Sequence, residues 1–341
     1  MSNTLYGSDS KIIKNRAWGY QPEGGGVKNA DMMSMTLPYS AGSIQSTVED
    51  LFKWNQAVHS YKLVKKETIE KAFTEYKLAD GKGTKYGYGW MLNQLQGIPT
   101  IEHGGAINGY LTNGIYLPAE DVFVAVFSNN SAKNPTLISS LLAAIAIGKP
   151  YNRTEIVLDE AALDQYKGVY ENEEGVLREI TRDGKQLFSQ RSNAGKLAIK
   201  AFEKDKFFFE NSLTILKFGR DASGNVSEVV MEDRGTVSVW KKTKKAFDTR
   251  KELKVPESTL SLYVGEYELQ PGFILAVTNE GDRLFTQATG QSKVEVFAES
   301  ETRFFLKVVE ANIEFVKDDS GKFTKLILNQ GGRRMEAKRI K

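Results

Sequence analysis

The 341 residues contain no cysteine. That absence excludes disulfides, thiolate catalysis and cysteine-ligated zinc. It suits an oxidising compartment without requiring one. Histidine is nearly absent too: His59 and His103 are the only two. A histidine-rich metal site is therefore excluded, and imidazole chemistry falls on one of these two side chains. Long apolar runs are also missing. The strongest, Leu141 to Ile147, is far short of the roughly 20 residues a membrane-spanning helix needs, so no span is expected. No charged-then-apolar leader opens the chain, so no signal peptide is expected. A net charge of +3 gives no warrant for nucleic-acid binding, which needs basic residues clustered on one face. No metal and no cofactor are expected.

What is present describes a globular protein. Hydrophobic residues make up 40% and charged residues 26% of the chain. Its length exceeds one ordinary core and implies two or three domains. Residues 1 to about 40 read as loop-rich, with Pro22, Pro38 and the run Gly24, Gly25, Gly26 interrupting regular structure. Ser46 and Glu49 fit a capping box. Val48, Leu51, Phe52 and Val58 then recur at helical spacing, which predicts a helix over 47–59 ending at His59, where a cation suits the helix dipole. A partner helix is predicted from Lys66 to Tyr76, with Ile69, Ala72 and Phe73 inward.

From Tyr86 the period changes to two. Tyr86, Tyr88 and Trp90 alternate with Gly87 and Gly89, which predicts a strand with one aromatic and one bare face. Further strands are expected from His103 towards Tyr110, around Ile115 and Tyr116, and over 122–127, the last apolar enough to be covered on both faces. Asn134 and Pro135 open a helix whose apolar face is Ile138, Leu141, Leu142 and Ile145, stopped by Gly148 and Pro150. Residues 41–150 are thus α+β.

The second half repeats at an offset of 97 residues. Tyr166, Gly168 and Tyr170 return as Tyr263, Gly265 and Tyr267; Gly184, Leu187, Phe188 and Gln190 return as Gly281, Leu284, Phe285 and Gln287. Phe207, Phe208 and Phe218 return as Phe304, Phe305 and Phe315. Each copy is rich in β-branched and aromatic residues broken by turn residues every 8 to 12 positions or so, the pattern of an all-β barrel with roughly eight strands. The expected domains are 1–150, 151–243 and 255–341. The basic stretch Lys241, Lys242, Lys244, Lys245 to Lys254 reads as a solvated linker.

The segment with most chemical content is Glu102-His103-Gly104-Gly105. Two glycines after a histidine at a strand let another backbone approach closely, and the imidazole can hydrogen-bond, carry charge or shuttle a proton. Residues 41–51 and Tyr86-Gly87-Tyr88-Gly89-Trp90, followed by His103-Gly104-Gly105, resemble landmarks of the penicillin-recognising serine hydrolases. This family includes class C β-lactamases, D,D-peptidases, D-aminopeptidases and esterases. His103-Gly104-Gly105 is similar to its third active-site element in the His-x-Gly form. Over 1–150 the resemblance implies the C-terminal part of a β-lactamase-like α/β-sandwich. The two repeats resemble lipocalin-like barrels carried by D-aminopeptidase relatives.

The resemblance further implies hydrolysis of an amide or ester in a small molecule or peptide. A serine would attack, backbone amides would hold the oxyanion, and an acyl-enzyme would follow. His103 would act in catalysis opposite the nucleophile, with Gly104 and Gly105 binding substrate. The family's Ser-x-x-Lys and Tyr-x-Asn elements are expected ahead of Met1, since 1–4 resembles the segment that follows the tyrosine loop. Ser8-Asp9-Ser10-Lys11 and Ser238-Val239-Trp240-Lys241 match the first element, within chance expectation, and Tyr170-Glu171-Asn172 matches the second, but its tyrosine recurs as Tyr267 and reads as structural. Three readings stay open: an incomplete acyl hydrolase, a hydrolase using an unconventional serine such as Ser8, and a binding module built on the barrels. An incomplete domain would expose apolar surface over 41–150, and poor solubility with folded barrels is expected. The resemblance implies a family that usually works outside the cytoplasm, in the periplasm or secreted.

Overall fold

A computed structural model of the chain describes residues 1–8, 10–23, 26–192, 194–247, 252–289, 291, 293–309, 311–330 and 333–341. Asp9, Gly24, Gly25 and residues 248–251 of the basic linker lie outside the described residues. The chain divides into two compact units. One comprises Met1–Glu155, Phe208–Leu216 and Met231–Ser238, and the other Ile156–Phe207, Lys217–Val230 and Val239–Lys341.

The first unit opens with β1 (Leu5–Tyr6), a hairpin of β2 (Tyr20–Glu23) and β3 (Gly26–Asn29), a one-turn helix α1 (Tyr39–Gly42), and β4 (Ile44–Gln45), which pairs with β1. Helices α2 (Val48–His59) and α3 (Lys66–Ala72) follow. A four-stranded antiparallel sheet runs in sequence order, β5 (Met91–Leu95), β6 (Ile98–Ile107), β7 (Tyr110–Leu117) and β8 (Val122–Ser128), and α4 (Pro135–Ala146) closes the unit.

Helix α2 forms where predicted, but its cap sits one residue later. Thr47 Oγ1 accepts from the Asp50 amide, while Ser46 Oγ is tied to Thr4 Oγ1 at 2.8 Å. Thr47 and Asp50 repeat the same spacing one step on, and Ser46 is engaged elsewhere. Helix α3 stops at Ala72, because Tyr76 is drawn into backbone pairing with Tyr86 and Thr84. Residues 86–90 are a turn rather than a strand. The Gly87 amide donates to the Trp90 carbonyl, and Gly89 takes a positive φ of 81°. Gly87 lies so close to α3 that a Cβ there would meet the Ala72 carbonyl oxygen at 2.0 Å. The aromatic–glycine alternation reflects this tight packing rather than a pleat.

Register divides the sheet into two faces. Ile115 and Leu117 pack with Leu95 against Ala143 and Ala144 of α4, and Asn113 Nδ2 donates to Ser139 Oγ at 2.7 Å across that buried contact. On the other face Gly114 makes room for Leu51 of α2, and Phe52 stacks on Phe123. Asn134 caps α4, accepting from the Leu137 amide, with Pro135 behind it. The helix is nevertheless rolled away from its predicted orientation. Ser139, Ser140, Ala143 and Ala144 are buried, whereas Ile138, Leu142 and Ile145 are 40%, 46% and 62% exposed. Small side chains let the helix axis approach the sheet; the bulky ones are left outside. Strand β8 has a helix against each face but is only partly buried along 122–127, since it is an edge strand.

Helix α5 (Glu160–Asp164) leads into the first closed antiparallel barrel. Its strands are β9 (Gly168–Glu171), β10 (Leu177–Asp183), β11 (Gln186–Arg191), β12 (Lys196–Glu203), β13 (Lys206–Phe208), β14 (Ile215–Arg220), β15 (Val226–Asp233) and β16 (Thr236–Thr243). Helix α6 (Glu257–Leu260) opens the second barrel. Its strands are β17 (Gly265–Gln270), β18 (Phe273–Glu280), β19 (Arg283–Ala288), β20 (Val294–Ala298), β21 (Arg303–Leu306), β22 (Ala311–Lys317), β23 (Phe323–Gln330) and β24 (Arg333–Arg339). The fold is therefore α+β with two eight-stranded barrels.

The repeat identities occupy equivalent places. Tyr166 packs against Phe207 and Phe218, and Tyr263 against Phe304 and Phe315. Tyr170 and Tyr267 are fully buried, and each hydroxyl donates to the carbonyl four residues earlier, at 2.7 and 2.9 Å. Burying each such ring contributes about 1.5–3 kcal/mol.

Candidate active site

His103, Gly104 and Gly105 lie together in the second half of β6. Strand β5 pairs with β6 only from Leu95–Ile98 to Met91–Glu102. From His103 to Ile107 one edge of β6 therefore has no strand beside it among the described residues. On the other edge His103, Gly104 and Gly105 face Gly114, Asn113 and Thr112 of β7. A Cβ at Gly105 would stand 2.6 Å from Thr112 Oγ1, and one at Gly104 3.3 Å from the Thr112 carbonyl. The neighbouring strand is thus close to both glycines, which also leave this stretch bare.

The His103 ring is exposed and held at both nitrogens. Nδ1 lies 2.6 Å from the Gly104 carbonyl oxygen. A carbonyl can only accept, so Nδ1 carries the hydrogen. Nε2 lies 2.8 Å from the Tyr86 hydroxyl and, in the neutral ring, accepts from it. The two rings meet edge to face. The result is an imidazole of fixed tautomer on an open strand edge, linked to a phenol that can pass or receive its proton.

Beneath His103, Glu102 points to the opposite face and is 1% exposed. Its Oε1 accepts from Asn93 Nδ2 at 2.5 Å and from Arg234 Nη1 at 2.7 Å, while Oε2 is buried without a partner among the described residues. Arg234 comes from the β15–β16 turn, which belongs to the same compact unit as the sheet. That turn is tied down further: the Gln94 amide donates to the Arg234 carbonyl. Lys85 Nζ donates to the Gly235 carbonyl and to Thr236 Oγ1 at 2.8 and 2.9 Å. A buried, hydrogen-bonded ion pair is costly to break, about 3–5 kcal/mol, so it fixes the strand that carries His103.

Other predicted residues fall elsewhere. His59 does end α2, but it does not serve as a helix-end cation. Its ring lies against Tyr116 and Phe73, and burial pushes its pKa down despite Asp121 nearby. Ser8 Oγ meets Ser10 Oγ and the Ser10 amide, each at 3.3 Å, in an exposed stretch. Ser238 and Lys241 lie three apart on β16, so they project from opposite faces. Tyr170 is buried and spent on its carbonyl bond. Sequence reading missed the roles of Tyr86, Asn93, Lys85 and Arg234. Arg234 had one available signal: the position 97 residues later is Gly331, so the arginine is not a requirement of the repeat.

Residues 1–147 match the Beta-lactamase family, and residues 249–339 match a domain of unknown function, DUF3471. The similarity to the Beta-lactamase family thus covers the first 147 residues. It is 25% identical over 306 residues to Penicillin-binding protein 4* of Bacillus subtilis (strain 168), covering 88% of this chain and 47% of that protein. It is 20% identical over 182 residues to D-aminopeptidase of Gluconobacter oxydans (strain 621H), covering 53% of this chain and 34% of the relative. The chain spans about half the length, or less, of these curated relatives. An octameric penicillin-binding protein homologue from Pyrococcus abyssi superposes with a TM-score of 0.39 at 23% identity, covering 71% of this chain and 57% of that one.

Proposed function

We propose that residues 1–147 form the rear portion of a serine acyl hydrolase domain acting on an amide or ester bond, and that these 341 residues do not turn substrate over by themselves. One observation carries the reading: His103 stands on an open strand edge beside Gly104 and Gly105, its tautomer set by the Gly104 carbonyl and Tyr86. A substrate backbone laid along that edge meets strand groups on one side and the imidazole on the other. His103 can then contact the substrate carboxylate or the leaving group, with Tyr86 as its proton partner. An attacking oxygen paired with an amine is still required. Ser8 Oγ is engaged by Ser10, and Ser238 and Lys241 project from opposite faces of β16. The exposed apolar side chains of α4, with Phe52 and Trp54 of α2 at 47% and 39% exposure, support the same reading of a domain lacking part of its cover.

The test is covalent. A fluorophosphonate or penicillin probe is expected to leave the purified chain unlabelled, while N-acyl amino acids shift the ring-proton NMR signal of His103 saturably. Labelling that disappears in Ser8→Ala would establish a working hydrolase instead. A His103 signal indifferent to every acyl amino acid and penicillin would remove the site.

A further inference from the structure

The barrel of β9–β16 contains a cation that the fold does not need. Arg178 on β10 is buried, with 9% exposure, and alternates with buried Ile180 on the inward side. Its Nη1 donates to Ser189 Oγ at 2.7 Å, and its guanidinium lies 4.6 Å over the Trp240 ring. Among the described residues, buried Nε has no hydrogen-bond partner and no carboxylate pairs with the group. Register sets Arg191 of β11 directly opposite, on the same side of the sheet but exposed. Two like charges facing across a strand pair repel, and a buried cation without an anion is strongly disfavoured. Burial, with Arg191 adding to it, pushes the Arg178 pKa down to about 10, so the group stays cationic at neutral pH.

The second barrel shows what this layer looks like without such a charge. At the same offset, the facing pair Arg178–Arg191 is replaced by Leu275–Ala288. Ser189 becomes Thr286, and Trp240 becomes Ala337. Leu275 and Ala337 belong to that barrel's apolar core, with Ala288 packed against it. An eight-stranded barrel of this repeat therefore closes with hydrocarbon where the first one holds a guanidinium. The arginine also has a defined vacancy in its bonding. Nη1 is taken by Ser189 and one face by Trp240, while the donors of the Nε–Nη2 edge are left unused among the described residues. That edge presents two parallel N–H donors, the geometry that matches the two oxygens of a carboxylate.

We infer that the β9–β16 barrel binds a small organic carboxylate, held bidentately by the Nε–Nη2 edge of Arg178, with the Trp240 ring as its apolar wall and Arg191 marking the end by which it enters. Neutralising the buried guanidinium supplies the driving force, and the repulsion between Arg178 and Arg191 is relieved when the anion is in place.

The test uses the full chain, which has four tryptophans and hence four indole N–H signals in a nitrogen-15 spectrum. Sodium octanoate and sodium benzoate are titrated against sodium chloride of equal ionic strength, with the Trp240 signal assigned by its loss in Trp240→Phe. A saturable carboxylate-specific shift of that signal is expected, weakened about ten- to hundredfold in Arg178→Leu, the range for losing charged hydrogen bonds. Arg178→Leu installs the residue of the second barrel and is expected to fold with an unliganded Tm no lower than the parent. If it does not fold, Arg191→Ala keeps Arg178 and is expected to weaken binding by a smaller factor. A Trp240 signal unmoved by both carboxylates at about 10 mM, an equal response to chloride, or unchanged binding in the folded variants would overturn the assignment.

Discussion

The two barrels share strand number, closure and a buried tyrosine bonded to the carbonyl four residues back, yet they differ at three places that matter. In the first copy the β15–β16 turn, part of the same compact unit as the sheet, carries Arg234, which meets Glu102. It buries Arg178 where the second has Leu275. It also fastens its leading helix with an ion pair, Asp164 to Arg182 at 2.8 Å, where the second uses Ser261 and Asn279 at 3.2 Å. Positions common to both copies close the barrel; positions where they part have taken on other work. Duplication thus separates structural from acquired residues without any other sequence.

That contrast can be broken most severely at Arg234. Arg234→Ala leaves the Glu102 carboxylate buried and unpaired, and is expected to cost about 3–5 kcal/mol, seen as early melting of the sheet unit in hydrogen exchange. Glu102→Gln/Arg234→Met together should recover much of that loss; if the single variant melts like the parent, the turn is no anchor. Next in size are the shared tyrosines. Tyr170→Phe and Tyr267→Phe each remove one buried hydrogen bond and are expected to cost about 1 kcal/mol. The two losses should agree in chemical denaturation; a cost confined to one copy would show that the barrels are not equivalent.

The smallest effect concerns acid. Hydrogen bonds from Arg182 and Lys167 hold the Asp164 pKa down at about 2, below an unfolded value of about 3.9. A depressed carboxylate pKa adds stability that is present above the unfolded pKa and is lost as pH falls through the folded one. Melting of the first barrel should therefore decline between about pH 4 and pH 2, and Asp164→Ser/Arg182→Asn, the pairing of the second barrel, should flatten that decline. An unchanged pH profile in the double variant would remove the ion pair from the account. On the sheet unit, Leu142→Ser and Ile145→Ser change side chains already half exposed. Each should alter stability by less than about 0.5 kcal/mol while reducing self-association measured by light scattering.

Much of this was legible in the chain. The 97-residue repeat needed only identity at one spacing, and β propensity with regular turn residues named the barrels. Asn134–Pro135 announced α4 because capping is local chemistry, and Ser46–Glu49 announced α2 while placing its cap one residue early. The motif His103-Gly104-Gly105 stood out for similar reasons. The misreadings arose where a local pattern served a distant contact. Tyr86 to Trp90 looked pleated because glycine was needed against Ala72, and α4 looked inward-facing on its bulky side because hydropathy ignores how closely an axis must approach a sheet.

Composition, capping and internal repetition, all set by neighbours a few residues apart or by identity along the chain, determined the elements, the duplication and the histidine worth watching. Tertiary structure alone decided which face of α4 is buried, that Tyr86 holds the His103 ring, and that Arg234, 132 residues away from Glu102, neutralises it. Such pairings depend on where folding brings separate segments together, and a charge in water carries no mark of the partner it will meet once buried.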